Sequence, residues 1–303
     1  MAVVEVIGLT KVFGGVRAVD SVSFTVGREV FGLMGPNGSG KSTLLSMIAG
    51  VLRPTSGVVR VGGFNVWGSS SEMARARRLI GYAPQKPPLR FDVSAYDNLV
   101  WHCLVRGLGL IEARRRAREL LEAVGLEEHA RKTVWELSGG MVRRLVVATA
   151  LVGEPEVIML DEPSSGVDPA YIDELWATIM RVSKGRTLIY TTHNPLEAER
   201  YSSRTGVMHR GRLIAVGEPR ELVETYAPYP LVYVKLRGPP KPLDVEGCRL
   251  LETLGDTLVY EVVGVGCVER IMAAYRDSGL DVEKLEVRKP GLEAVFKRLV
   301  GGE

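Results

Sequence analysis

The chain has 303 residues, 46% of them hydrophobic and 25% charged, and carries a formal net charge of +3. That is room for one large domain or two smaller ones around a core that needs no stapling, and the near-balanced charge argues against a nucleic-acid partner. No apolar run approaches the ~18 residues needed to cross a bilayer, and the opening MAVVEVIGLTKVFGG lacks the long apolar core of a signal peptide, so a membrane role has to come through a partner.

In chain order, the apolar run at 3–7 predicts a short strand, and 19–26 alternates apolar and polar as a half-buried strand does. Residues 30–34 are apolar and end at a glycine-rich turn. Helical apolar spacing follows over 41–49, with Gly50 as a stop signal. Residues 73–79 and three stretches between 93 and 151 predict helices. The continuous apolar run 157–160 fits a buried parallel strand, 170–182 predicts a helix, and 187–191 another strand. This alternation predicts an α/β fold with a parallel sheet, into which the helix-rich middle is inserted.

Pro228, Pro230 and the run Gly238-Pro239-Pro240 mark a change of composition, which places a boundary near Thr225. Beyond it, strands at 231–236, 257–263 and 282–287 and helices at 268–277 and 292–299 predict a small C-terminal α+β domain over 226–303. Cys103, Cys248 and Cys267 are odd in number and far apart. They show neither metal-ligand spacing nor a disulfide framework, the usage expected of a chain kept in a reducing cytoplasm.

Gly35-Pro36-Asn37-Gly38-Ser39-Gly40-Lys41-Ser42 fits G-x-x-x-x-G-K-[ST] and lies between a predicted strand and a predicted helix. Glycines let backbone N–H groups turn inward around phosphate oxygens, and the following helix offers its positive end to the same anion. Lys41 is expected to reach the β- and γ-phosphates of ATP and Ser42 to hold Mg²⁺, with Thr43 completing the nucleotide-binding set. The strand at 157–160 ends in Asp161 and Glu162. Asp161 is placed to bind Mg²⁺, usually through water, and Glu162 to accept a proton from the attacking water or to orient it. Taken alone, such a pair reads equally well as a strand ending in solvated acids; the phosphate loop in the same chain favours the metal and water roles.

Leu137-Ser138-Gly139-Gly140-Met141 then distinguishes between kinds of ATPase. In the order phosphate loop, Gln85, Leu-Ser-Gly-Gly, acidic strand and His193, the chain closely resembles the ABC ATPase family over about 1–225. The resemblance implies a P-loop NTPase core with a parallel sheet, an antiparallel β subdomain and a helical insertion at about 86–150. It implies that Phe13 stacks on adenine and that Gln85 touches Mg²⁺ and water and links the site to the insertion. Ser138, Gly139 and Gly140 resemble the signature that binds the γ-phosphate of ATP held by a second subunit. Ser165-Gly166-Val167-Asp168 resembles the loop joining the two sites, and His193 the switch histidine on the γ-phosphate. Met141 departs from the family's glutamine and cannot hydrogen-bond a ribose hydroxyl as an amide does.

The run from Leu137 to Leu145 and Leu292-Glu293-Ala294-Val295-Phe296 resemble a subgroup that powers export of drugs, polysaccharides or lipids. The resemblance implies a catalytic set of Glu162, His193, Gln85 and Lys41 and a homodimer of ATP-binding subunits. It also implies a membrane-spanning permease that holds the chain on the inner face of the cell membrane, with no nucleic acid. Two rivals remain open at this point: a soluble ABC ATPase of translation, DNA repair or cluster assembly, and a non-catalytic regulatory subunit. The basic clusters Arg75, Arg77, Arg78 and Arg114, Arg115, Arg116, Arg118 also have two readings. They form a solvated helix face partnered by Glu112, Glu119 and Glu122, or a contact for acidic headgroups or a membrane partner.

Overall fold

The computed structural model describes residues 3–300, which divide into two units between Glu218 and Pro219. The first unit opens with β1 (Val4–Phe13) and β2 (Val16–Val26), an antiparallel hairpin, followed by β3 (Val30–Met34) and α1 (Lys41–Ile48). The run read as ending at residue 7 continues to Phe13 because Gly8, at φ +57°, sits in a bulge that shifts the register and carries the strand onward. β4 (Ser56–Val61) and β5 (Phe64–Asn65) complete an antiparallel sheet in the order β2-β1-β4-β5.

α2 (Ser70–Leu79) starts at Ser69, whose side chain forms a capping box with Glu72, and runs straight into β6 (Ile80–Ala83). The insertion follows as α3 (Ala95–Val105), α4 (Leu110–Ala123) and α5 (Gly139–Ala150). On α4 the buried positions Ala113, Ala117, Leu120 and Leu121 make one apolar stripe, and the opposite face carries the arginines. Arg115 and Arg116 pair with Glu119, Arg116 also with Glu154, and Arg118 lies over the Tyr96 ring. β7 (Val157–Asp161), α6 (Pro169–Val182), β8 (Thr187–Thr192), α7 (Pro195–Tyr201), β9 (Arg204–His209) and β10 (Arg212–Gly217) close the unit.

The central sheet has the order β10-β9-β3-β8-β7-β6, parallel throughout except for the β9–β10 hairpin. Every residue of β7 and β8 is buried, as expected of strands covered on both faces. One core lies between the antiparallel sheet and α1; another joins α3, α4, α5 and α6 to the central sheet, where Trp176 stacks on Tyr201 at 4.3 Å. The expected parallel core, antiparallel subdomain and helical insertion are thus all present.

The second unit comprises α8 (Pro219–Tyr226), β11 (Leu231–Leu236), β12 (Cys248–Leu254), β13 (Thr257–Val262), α9 (Cys267–Asp277), β14 (Val282–Arg288) and α10 (Leu292–Val300). Its sheet runs β12-β13-β11-β14, all antiparallel. The unit begins ahead of the boundary placed near Thr225 because α8 packs with α10: Leu222, Leu292 and Val295 are buried, and Arg298 Nη1 donates to the Tyr226 carbonyl at 2.9 Å.

The cysteine reading is corrected here. Cys248 and Cys267 form a disulfide with Cα atoms 5.5 Å apart, leaving buried Cys103 as the free cysteine among the described residues. Sequence spacing hides the pairing because the β12–β13 hairpin sets Cys248 opposite Val262, and the chain then turns directly into α9. The cysteine count therefore says nothing about compartment. The bond closes a loop of sequence separation 19, for which chain entropy suggests a stabilisation of about 3 kcal/mol. Reduction, or Cys248→Ser, is expected to lower the unfolding transition of the second unit in calorimetry and to leave that of the first in place. A scan indifferent to reductant would show that the thiols are unpaired in solution.

Candidate active site

β3 lies between β8 and β9, so the loop that leaves its C-terminal end emerges beside the ends of β7 and β8, where open parallel sheets bind ligands. Gly35 N donates to the Thr192 carbonyl at 3.3 Å, and a Cβ on Gly35 would overlap the Met208 carbonyl oxygen. Gly40 sits at φ +100°, and a Cβ there would overlap the Ala18 carbonyl oxygen, so only glycine fits. The Pro36–Ser39 segment closes through Ser39 N to Pro36 O at 3.2 Å, and Gly211 N holds Ser39 O at 3.0 Å from the β9–β10 turn. Ser39 Oγ is buried without a hydrogen-bond partner among the described residues. A buried hydroxyl left unpaired inside a glycine cradle is the mark of an anion site.

Lys41 folds back over this cradle. Its Nζ donates to the Gly35 carbonyl at 2.8 Å and the Pro36 carbonyl at 3.1 Å, and it lies 3.9 Å from Glu162 Oε1. Burial pulls the ammonium pKa below the usual lysine range, and the Glu162 and Asp161 carboxylates push it back up. Ser42 Oγ donates to Asp161 Oδ1 at 2.9 Å, and Thr191 Oγ1 donates to the same oxygen at 2.6 Å. Burial raises the Asp161 pKa and these two hydrogen bonds oppose the rise.

Glu162 follows β7 in a left-handed conformation, φ +48°, rare for a residue with a side chain and common at functional positions. Its N–H donates to Thr191 Oγ1 at 2.9 Å, which fixes the turn. Its Oε2 accepts from Gln85 Nε2 at 3.0 Å, and its Oε1 lies 3.5 Å from His193 Nδ1. Lysine, glutamine and histidine from three distant segments thus meet on one buried carboxylate. His193 is half-exposed between β8 and α7; Asn194 caps α7, and Thr192 Oγ1 donates to Glu197 Oε2 at 2.7 Å behind it.

The signature residues and Phe13 lie on other elements. Ser138 is exposed and caps α5 by accepting from Met141 N at 3.3 Å; Gly139 and Gly140 form the first turn of that helix. No hydrogen bond or ion pair among the described residues joins Ser138 to Lys41, Asp161 or Glu162. Met141 packs against the core of the insertion rather than standing free. Phe13 ends β1 with 48% exposure, one ring face under Lys11 Nζ at 5.0 Å. Asn37, Gly38 and Thr43 lie on the loop and in the first turn of α1.

Two contributors had no place in the motif reading. Thr191 bridges Asp161 and the Glu162 backbone, and its signal was only its position in the strand that leads to His193. Arg143 ties α5 to the Gln85 and Ser165 carbonyls. Its spacing from Ser138 was legible, but its partners were not.

Residues 19–165 match the family model described as ABC transporter. The linearmycin resistance ATP-binding protein LnrL of Bacillus subtilis is 33% identical over 97% of this chain and 96% of its own length. The Nod factor export ATP-binding protein I of Rhizobium johnstonii is 35% identical over 99% of this chain and 95% of its own length. Among solved structures, cbiO1 from Clostridium perfringens, part of the ABC transporter complex cbiONQ, aligns with TM-score 0.66 and 30% identity over 75% of this chain and 96% of its own. A dimeric post-hydrolysis cassette, MJ0796 bound to ADP and Pi, aligns with TM-score 0.63 and 26% identity over 71% of this chain and 98% of its own.

Proposed function

Since this chain belongs to the ABC transporter family and is an ATP-binding, ATP-hydrolysing subunit, we propose that two copies close head to tail around two ATP molecules and thereby drive a membrane-spanning export permease. The observation that carries this reading is the meeting of Lys41, Gln85 and His193 on Glu162 beside the glycine cradle. Each ATP lies on Lys41 of one copy and under Ser138, Gly139 and Gly140 of the other. This accounts for a signature that is exposed at a helix N-terminus and, among the described residues, shares no side-chain hydrogen bond or ion pair with its own cradle. The γ-phosphate joins the two faces, so ATP favours the closed state and ADP does not; only such a difference in affinity can shift the equilibrium.

In the closed state Lys41 Nζ exchanges the Gly35 and Pro36 carbonyls for β- and γ-phosphate oxygens. Glu162 accepts the proton of the attacking water, while Gln85 and His193 orient that water and the γ-phosphate. Ser42 Oγ and Asp161 Oδ1, 2.9 Å apart, offer the hard oxygen donors that suit Mg²⁺. When bound there, Mg²⁺ neutralises charge on the β- and γ-phosphate oxygens. Phe13, with one ring face under Lys11, keeps the other for adenine.

Export is supported by the similarity to the Nod factor export ATP-binding protein I, and the linearmycin resistance role of LnrL agrees with it. The permease contact is assigned to the α3–α4 hairpin, where Trp101 and Ile111 are 57% and 88% exposed beside Leu104 and Val105. No helix among the described residues is long and apolar enough to cross a membrane, and a peripheral place on the cytoplasmic face follows from that permease contact. Co-expression with the neighbouring membrane protein and purification in mild detergent tests the reading. A multi-helix membrane protein should be recovered with this chain, whereas recovery with ribosomes or DNA rejects transport. Trp101→Asp is expected to lose that recovery and to leave ATP hydrolysis by the isolated chain intact; undiminished recovery excludes this face.

A further inference from the structure

Arg143 sits in α5, the helix that Ser138 caps. Its Nη1 donates to the Gln85 carbonyl at 2.8 Å, and its Nε and Nη2 donate to the Ser165 carbonyl at 3.1 and 2.8 Å. Both partners hold Glu162 in turn. Gln85 does so through its side chain, Nε2 to Oε2 at 3.0 Å, and Ser165 through its backbone, N to the Glu162 carbonyl at 3.1 Å. One guanidinium therefore grips the two segments that flank the carboxylate, which is itself held in a left-handed turn. The planar fork of arginine can serve two carbonyls at once, which the single ammonium of lysine does less well. Arg143 is half-buried and lies close enough to Asp161 and Glu162 for their charges to offset the effect of its burial.

We infer that Arg143 is a positioning residue for Glu162: through the Gln85 and Ser165 carbonyls it fixes the general base and locks it to the helix that carries the signature. Its Nε, Nη1 and Nη2 are all engaged by the Gln85 and Ser165 carbonyls, so its contribution falls on turnover rather than on nucleotide affinity. The inference rests on the role assigned to Glu162 above.

The test uses the full chain and compares Arg143→Gln and Arg143→Lys, alone and in a Glu162→Gln background, by phosphate release against ATP concentration and by melting temperature. Arg143→Gln is expected to lower kcat by about tenfold or more with KM within about threefold, as misplacement of a catalytic group does. Its melting temperature should stay near that of the parent, and Arg143→Lys should recover part of the rate. In the Glu162→Gln background the same change should cost little further, because two residues acting as one unit are not additive. An unchanged kcat, a rise in KM in place of the kcat loss, or full multiplication of the two losses overturns the inference. If the glutamine variant does not fold, the lysine variant decides. A reduced kcat at normal melting temperature supports positioning, and full activity or a joint loss of rate and stability refutes it. Near-normal turnover of Glu162→Gln alone removes the base assignment itself and this inference with it, whereas multiplied losses remove only Arg143.

Discussion

Glu162→Gln is expected to bind ATP as the parent does and to turn over at least ~10²-fold more slowly. The substitution keeps the volume of the side chain, and a glutamine oxygen can still accept from Gln85 Nε2, so the turn after β7 and its bond to Thr191 are retained. What is lost is the carboxylate proposed to take the water proton. The Lys41 contact at 3.9 Å and the His193 contact at 3.5 Å weaken with it, but neither builds the cradle. Nucleotide affinity by titration calorimetry and phosphate release by a steady-state assay separate the two quantities. Near-normal turnover would assign the proton to another group; a parallel loss of binding would assign Glu162 to the nucleotide rather than to water.

Lys41→Ala is expected to act at the other step and weaken ATP binding itself. The ammonium is buried and held by two backbone carbonyls, so it is pre-placed for phosphate oxygens and needs little reorganisation to reach them. Hydrogen bonds to charged groups contribute roughly 1.5–3 kcal/mol each, which makes a rise in Kd of about ten- to hundredfold the expected outcome. Burial holds the Lys41 pKa below the usual lysine range, and phosphate oxygens next to the ammonium raise it. ATP binding therefore weakens as pH rises through the depressed value. An ATP affinity unchanged by the substitution counts against the cradle.

Much of this site was legible before any coordinates because its parts are local signatures with fixed chemistry. Gly35 to Ser42 is recognisable alone, Asp161 with Glu162, Gln85 and His193 are recognisable by their order along the chain with it, and the parallel sheet brings the ends of β3, β7 and β8 together. The remainder depends on tertiary neighbours. β9, with the sequence Arg-Thr-Gly-Val-Met-His, shows no clean alternation and becomes a strand because β3 and β10 flank it. Cys248 and Cys267 meet only because a hairpin brings the chain back on itself. Arg143 looks like one more arginine in a basic helix until the Gln85 and Ser165 carbonyls are placed beside it. The start of the second unit follows from the packing of α8 with α10, which no proline-rich stretch announces.

The central claim is that each ATP is shared between the cradle of one copy and the signature of the other. Mixing a Lys41→Ala chain with a Ser138→Arg chain tests it most directly. Each variant alone should fail to hydrolyse ATP, because every site it builds lacks one half. In the mixture, a site made from the intact cradle of the second chain and the intact signature of the first should restore phosphate release. Hydrolysis by the Ser138→Arg chain alone, or mixed pairs that form and stay inactive, would contradict the shared site.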